Sequence, residues 1–219
     1  MFKFKHLLKL GTVQTVVLGS LAFGSVTIQA APITATWTSG TSADWDSGVL
    51  SNSSNWNFSS APTTATFPNN DANDTFSVQI DNNGANNSVV NLNTSVTIDS
   101  LNVSANDTLN FNSGRDITLA NGTLVNNGAI NMNSTGASTD LAFIGSQTNS
   151  GNGEIVWSDS NQNRILASDS TGSTAVLTLG ANQVLRAAGQ IGVNSGGIIN
   201  NGTIRQQGNI ALALDPGTP

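Results

Sequence analysis

The sequence predicts an all-β protein, a right-handed parallel β-helix with an N-terminal Trp-rich cap. Three observations carry that expectation. From about residue 75 onward the apolar residues come in short alternating bursts. Asn, Asp, Gly and Ser fill the intervals. No stretch after Ala31 shows the i, i+3, i+4, i+7 stripe of an amphipathic helix.

The first thirty residues are an address. Lys3, Lys5 and Lys9 make a cationic start, and Leu10 to Ile28 is uncharged and densest in Val16–Phe23. Ile28-Gln29-Ala30 is a small-residue exit. This is the pattern of a secretory signal peptide over residues 1–30, with cleavage after Ala30. The competing reading, an uncleaved membrane anchor, is weakened by Thr12, Gln14 and Thr15 inside a run barely long enough to span. No later segment is apolar for long enough to span. The expectation is an exported chain, secreted or at the cell surface, with no membrane span in its mature part.

Residues 31–75 hold three of the four Trp: Trp37, Trp45 and Trp56, followed by Pro62 and Pro68. A solenoid's first coil leaves an apolar end and unpaired strand edges, and a compact aromatic segment would close both. The segment therefore reads as a cap. The alternative is a ligand platform, since flat indole faces stack on sugar rings.

Residues 76–219 are the repeat region. Val78/Ile80, Val96/Ile98, Leu101/Val103, Leu109/Phe111, Ile117/Leu119, Ile130/Met132 and Leu141/Phe143 open a series that runs to Ile210/Leu212/Leu214. Period two over three to five residues is a strand with one buried face. The bursts recur roughly every eight residues, so three make a coil of about 24 residues. Gly precedes the aliphatic residue by two in Asn121-Gly122-Thr123-Leu124, Asn127-Gly128-Ala129-Ile130, Gly153-Glu154-Ile155, Gly189-Gln190-Ile191 and Asn201-Gly202-Thr203-Ile204. Asn and Gly at such places favour tight turns. A β-sandwich or jelly roll is the competing architecture. Ile98, Val103, Leu109, Phe111, Leu119, Ile130 and Leu141 are the expected core.

Composition removes whole classes of chemistry. From Ala31 onward there is no Lys, His, Cys or Tyr; four Arg stand against 13 acidic residues, a formal charge of −9, among 30 Asn. Without His or Cys there is no Ser-His-Asp or Cys-His catalysis and no ordinary zinc or iron–sulfur site. Without Lys there is no P-loop or Schiff base. Four scattered Arg do not suit nucleic acid or an anionic membrane. No disulfide contributes to stability.

The Trp…Asp-Trp…Asn-Trp opening, Pro68-Asn69-Asn70-Asp71-Ala72-Asn73-Asp74-Thr75, Val96-Thr97-Ile98-Asp99-Ser100-Leu101-Asn102-Val103 and Ala188-Gly189-Gln190-Ile191-Gly192 together carry a resemblance, one that specifies architecture far more than activity. From about Thr36 to Asp215 the chain resembles secreted bacterial parallel β-helix repeat proteins: autotransporter passengers and exported proteins with a C-terminal sorting signal. The resemblance implies an adhesive or structural role at an extracellular surface. The chain departs from that pattern at Leu214–Pro219, which carries neither a membrane barrel nor an apolar-plus-basic tail, so the repeat region is expected to be truncated at its C-terminus.

Candidate sites are few. Asp71, Asn73 and Asp74, with Asp81 nearby, offer oxygen ligands for calcium, the one cofactor considered; the alternative is a turn whose Asx side chains bond the backbone. Trp37, Trp45 and Trp56 are the glycan candidates. No catalytic residue is assigned. A lyase would need a Lys or Arg base, and a glycosidase two facing carboxylates, which a solenoid would draw from adjacent coils. The expected function is a non-catalytic extracellular structural or adhesin-type module. The alternative is a carbohydrate-active protein that binds or cleaves a polysaccharide.

Overall fold

A computed structural model describes residues 31–40, 42–47, 55–80, 87–168, 175–215 and 217. The expected signal peptide and its cleavage point after Ala30 lie outside the described residues, as does Asp81. Residues from Ala31 onward form one compact unit.

Among the described residues there are 21 strands and no helix. Three come first: β1 (Ile33–Trp37), β2 (Ala43–Asp44) and β3 (Trp56–Phe58). Six rounds of three follow. The first two are β4 (Phe76–Ile80), β5 (Val89–Leu92), β6 (Val96–Ile98) and β7 (Ser100–Val103), β8 (Thr108–Asn112), β9 (Ile117–Leu119). The next two are β10 (Leu124–Asn126), β11 (Ala129–Asn133), β12 (Thr139–Ile144) and β13 (Gln147–Ser150), β14 (Glu154–Trp157), β15 (Asn163–Ser168). The last are β16 (Val176–Leu179), β17 (Val184–Ala187), β18 (Gly189–Ile191) and β19 (Gly197–Asn200), β20 (Thr203–Gln206), β21 (Leu212–Leu214).

Each round gives one strand to each of three sheets. The first sheet runs β19-β16-β13-β10-β7-β4-β1-β3, the second β2-β5-β8-β11-β14-β17-β20 and the third β21-β18-β15-β12-β9-β6. Every pairing is parallel except β1 with β3. Consecutive strands never form a hairpin, so the sandwich alternative is not what the chain adopts. The spacing between equivalent positions varies around the expected 24. It is 19 from Asn91 to Asn110, 21 from Asn110 to Asn131, 24 from Asp140 to Arg164 and 30 from Asn152 to Asn182.

The alternation seen in the sequence becomes ladders of like residues. Val78, Leu101 and Leu124 stand in register on the first sheet. Leu92, Phe111, Met132 and Trp157 do so on the second, and Ile98, Leu119, Phe143 and Ala167 on the third. All belong to one buried cluster. The expected core residues Ile98, Val103, Leu109, Phe111, Leu119, Ile130 and Leu141 are each fully buried within it. Burying such a side chain contributes about 1.5–3 kcal/mol, and the parallel pairing satisfies the backbone between coils.

Two features depart from the sequence expectation. The cap segment is itself part of the sheets: Ile33-Thr34-Ala35-Thr36-Trp37 alternates like the later bursts, and β1 extends the first sheet in parallel register with β4. Conversely, β13 has no apolar burst. Its inward positions are Gln147 and Asn149, both buried, and Asn149 stacks between Leu124 and Leu179. Gln147 lives in the core because its Nε2 donates to the carbonyls of Leu119 and Ile144.

Gly128 and Gly153, two of the recurrent glycines, have a different cause. At Gly128 an added Cβ would lie 2.4 Å from the carbonyl oxygens of Asp107 and Ser104, and at Gly153 it would lie 2.3 Å from that of Gly128. Close stacking of one coil on the next, rather than a left-handed backbone, requires glycine there.

Candidate functional site

The three Trp of the glycan reading converge, but not on solvent. Trp37 closes β1, Trp45 follows β2, and Trp56 opens β3, whose antiparallel pairing sets it across from Trp37. Trp37 and Trp45 are fully buried and Trp56 is 4% exposed. The Trp56 ring centre lies 4.9 Å from both others, edge-to-face at 81° and 61°. Each indole N–H donates to a backbone carbonyl: Trp37 to Ser39 at 2.9 Å, Trp45 to Pro68 at 3.0 Å and Trp56 to Trp45 at 2.8 Å. A sugar platform needs exposed, roughly coplanar rings. Here the faces are spent on one another, because strand pairing between β1 and β3 brings them together.

The calcium candidates form a turn. Asp71 Oδ1 accepts the backbone N–H groups of Asn73 and Asp74, and Oδ2 accepts the Thr64 hydroxyl. These bonds, the Thr64 one foremost, hold the Asp71 carboxyl below its usual value. Asp74 is buried and accepts from the Thr63 N–H at 2.6 Å, the Thr63 hydroxyl and the Thr64 N–H. Asn73 is exposed. Donors thus occupy all four carboxylate oxygens that a cation would use. Among the described residues, no three His, Cys, Asp or Glu gather as a metal set.

Two carboxylates on adjacent coils do occur on the outer face of the third sheet. Asp116 precedes β9 and Asp140 lies on β12, with Arg164 next on β15. Asp116 Oδ1 accepts the Asp140 N–H at 2.9 Å, and Oδ2 accepts the Ser95 hydroxyl. Burial raises the Asp116 carboxyl above its ordinary value, with Asp140 adding to the rise against those hydrogen bonds. Arg164 grips Asp140 with both Nε and Nη2, which raises the guanidinium's own value. A two-carboxylate glycosidase needs one oxygen to donate a proton and another facing the sugar. Here all four oxygens are engaged, and the row acts as a clamp across three coils.

A concavity among the described residues lies elsewhere. A groove of about 420 Å³ follows the corner between the first and second sheets, across the turns after β7, β10 and β13. Gly128, Ala129 and Gly153 line it together with Asn106, Thr108, Asn127, Asn152 and Glu154. The depression has a local cause: the glycines demanded by coil stacking leave no side chains to fill the corner. Glu154 Oε1 accepts from Arg186 Nη2 at 2.6 Å, with both side chains about two-fifths exposed. No candidate chosen from the sequence lines this groove. The recurrent Asn-Gly phrases were its only trace, and they read as turns.

No protein-family model, curated protein or solved structure matches the chain.

Proposed function

We propose that the chain is an exported right-handed parallel β-helix, capped at its N-terminal end by residues 31–75, that serves as a non-catalytic structural or adhesive module at or beyond a bacterial cell surface. Right-handed winding is the general preference of parallel crossovers. The antiparallel strand β3 and the buried Trp trio at the end of the first sheet support the cap. The Lys-rich start and the Ile28-Gln29-Ala30 exit support export.

One observation carries the non-catalytic reading. The acidic side chains are used to tie coils together. Asp99 accepts from Asn70 and Asn121, Asp107 from the Ser88 N–H, Asp140 from Arg164, Glu154 from Arg186, and Asp159 from the Asn209 and Ile210 N–H groups. An enzyme would hold a convergent, differently tuned pair in an open cleft.

The test is expression of the whole chain in a bacterium, followed by N-terminal sequencing of exported protein and assay of neutral and acidic polysaccharides for new reducing ends. The expected result is a chain beginning at Ala31 that releases none. Exported protein beginning at Met1, or chain cleavage lost in Glu154→Gln, would overturn it.

A further inference from the structure

We infer that the corner groove between the first and second sheets is a binding site for a neutral, hydroxyl-rich polysaccharide lying along the stack of coils; this deepens the adhesive reading above and rests on it.

The argument begins with the amides. Asn127 Oδ1 accepts the backbone N–H of Asn152 at 3.1 Å, and Asn152 Oδ1 accepts Nδ2 of Asn182 at 2.9 Å. Each oxygen is therefore engaged by the next coil. The Nδ2 groups of Asn127 and Asn152 have no partner among the described residues, which leaves two amide donors on groove-lining residues of successive coils. Asn106, held at φ 71°, sits exposed one coil further along. Glu154, also among the lining residues, supplies an acceptor. Glu154 spends one oxygen on Arg186, which leaves Oε2 as an acceptor on a residue that lines the groove.

A row of donors together with an acceptor suits a ligand that carries both on every unit, as a polyol does. The row repeats at the strand spacing of about 4.8 Å, close to the length of one pyranose in an extended chain. A volume of about 420 Å³ lies within the range of ligand sites. Asp107 and Glu154 line the groove, and the chain from Ala31 carries −9, so a polyanion would meet repulsion.

The test is affinity electrophoresis of the chain from Ala31 in gels containing a soluble β-glucan, a mannan or a galactan, with polygalacturonate as the anionic polymer. At least one neutral polymer is expected to retard the protein and polygalacturonate is not. The double variant Asn127→Ala/Asn152→Ala should bind at least ten-fold more weakly, and Glu154→Gln, which keeps the side chain's shape, at least three-fold. Thr118→Ala, on the outer face of the third sheet, should bind as the parent does, and all melting temperatures are measured alongside. Retardation by polygalacturonate alone, or by none of the polymers, would overturn the inference. Retardation that survives both groove changes in folded protein would also overturn it, while leaving the adhesive reading intact through another face.

Discussion

Replacing Trp56 by Ala separates a packed end from a ligand platform more sharply than any other change. The ring is buried between Trp37 and Trp45 at 4.9 Å from each, and its N–H satisfies the Trp45 carbonyl at 2.8 Å. Truncating a buried Trp costs about 3–5 kcal/mol through lost transfer energy and the cavity left behind. Two edge-to-face contacts add about 0.5–1.5 kcal/mol each where the neighbours do not collapse. The expected loss is therefore about 4–8 kcal/mol, a large part of a typical domain's margin. Urea unfolding followed by far-UV circular dichroism gives the value, with constant m as the sign of an unchanged unfolding unit. Trp56→Phe should lose less, about 1–3 kcal/mol, because a ring remains but the carbonyl of Trp45 loses its donor. A loss below about 1 kcal/mol in Trp56→Ala, with polysaccharide retention abolished, would refute the reasoning and restore the platform.

Three further outcomes are expected. Asn149→Leu should stabilise the protein by about 1–2 kcal/mol in the same urea assay, because Asn149 Oδ1 is buried without a partner and its register neighbours are Leu124 and Leu179. Gly153→Ala should destabilise by about 1–3 kcal/mol or more, since its Cβ would meet the Gly128 carbonyl at 2.3 Å; Gly197→Ala, with 3.5 Å of room, should be mild by comparison. The last coil should loosen in acid. Backbone N–H groups of Asn209 and Ile210 hold the Asp159 carboxyl below its usual value, so the stability it lends is full above the unfolded-state value of about 3.9 and is lost as pH falls through the lowered folded one. Amide exchange of residues 207–211 should therefore rise in that window, and Asp159→Asn should show the rise already at neutral pH.

Period-two alternation was legible in the sequence because each strand buries one face, and a residue's side of the strand depends only on its neighbours. Ile98, Phe111, Ile130 and Leu141 could thus be placed inward from local pattern alone. So could the excluded chemistry, because a chain without His, Cys or Lys beyond residue 31 cannot perform it in any fold. The inward Gln147 and Asn149 escaped that reading, since polar residues become core only when a neighbouring coil supplies partners, as the Leu119 carbonyl does for Gln147.

The same holds for the sites. Trp37, Trp45 and Trp56 were visible as a cluster in sequence, but whether their rings faced water depended on the antiparallel pairing of β1 with β3 across eighteen intervening residues. Asp71 and Asp74 looked like ligands until Thr63, Thr64 and the local N–H groups filled their oxygens. The corner groove left only the Asn-Gly phrases in the sequence, which read as turns. Its lining residues Asn127 and Asn152, 25 residues apart, meet only because they lie on adjacent coils, where one amide anchors the next. Local sequence determined which residues alternate and what chemistry is absent; coil-to-coil register, set by turns of unequal length, decided which polar groups meet and which are left facing outward.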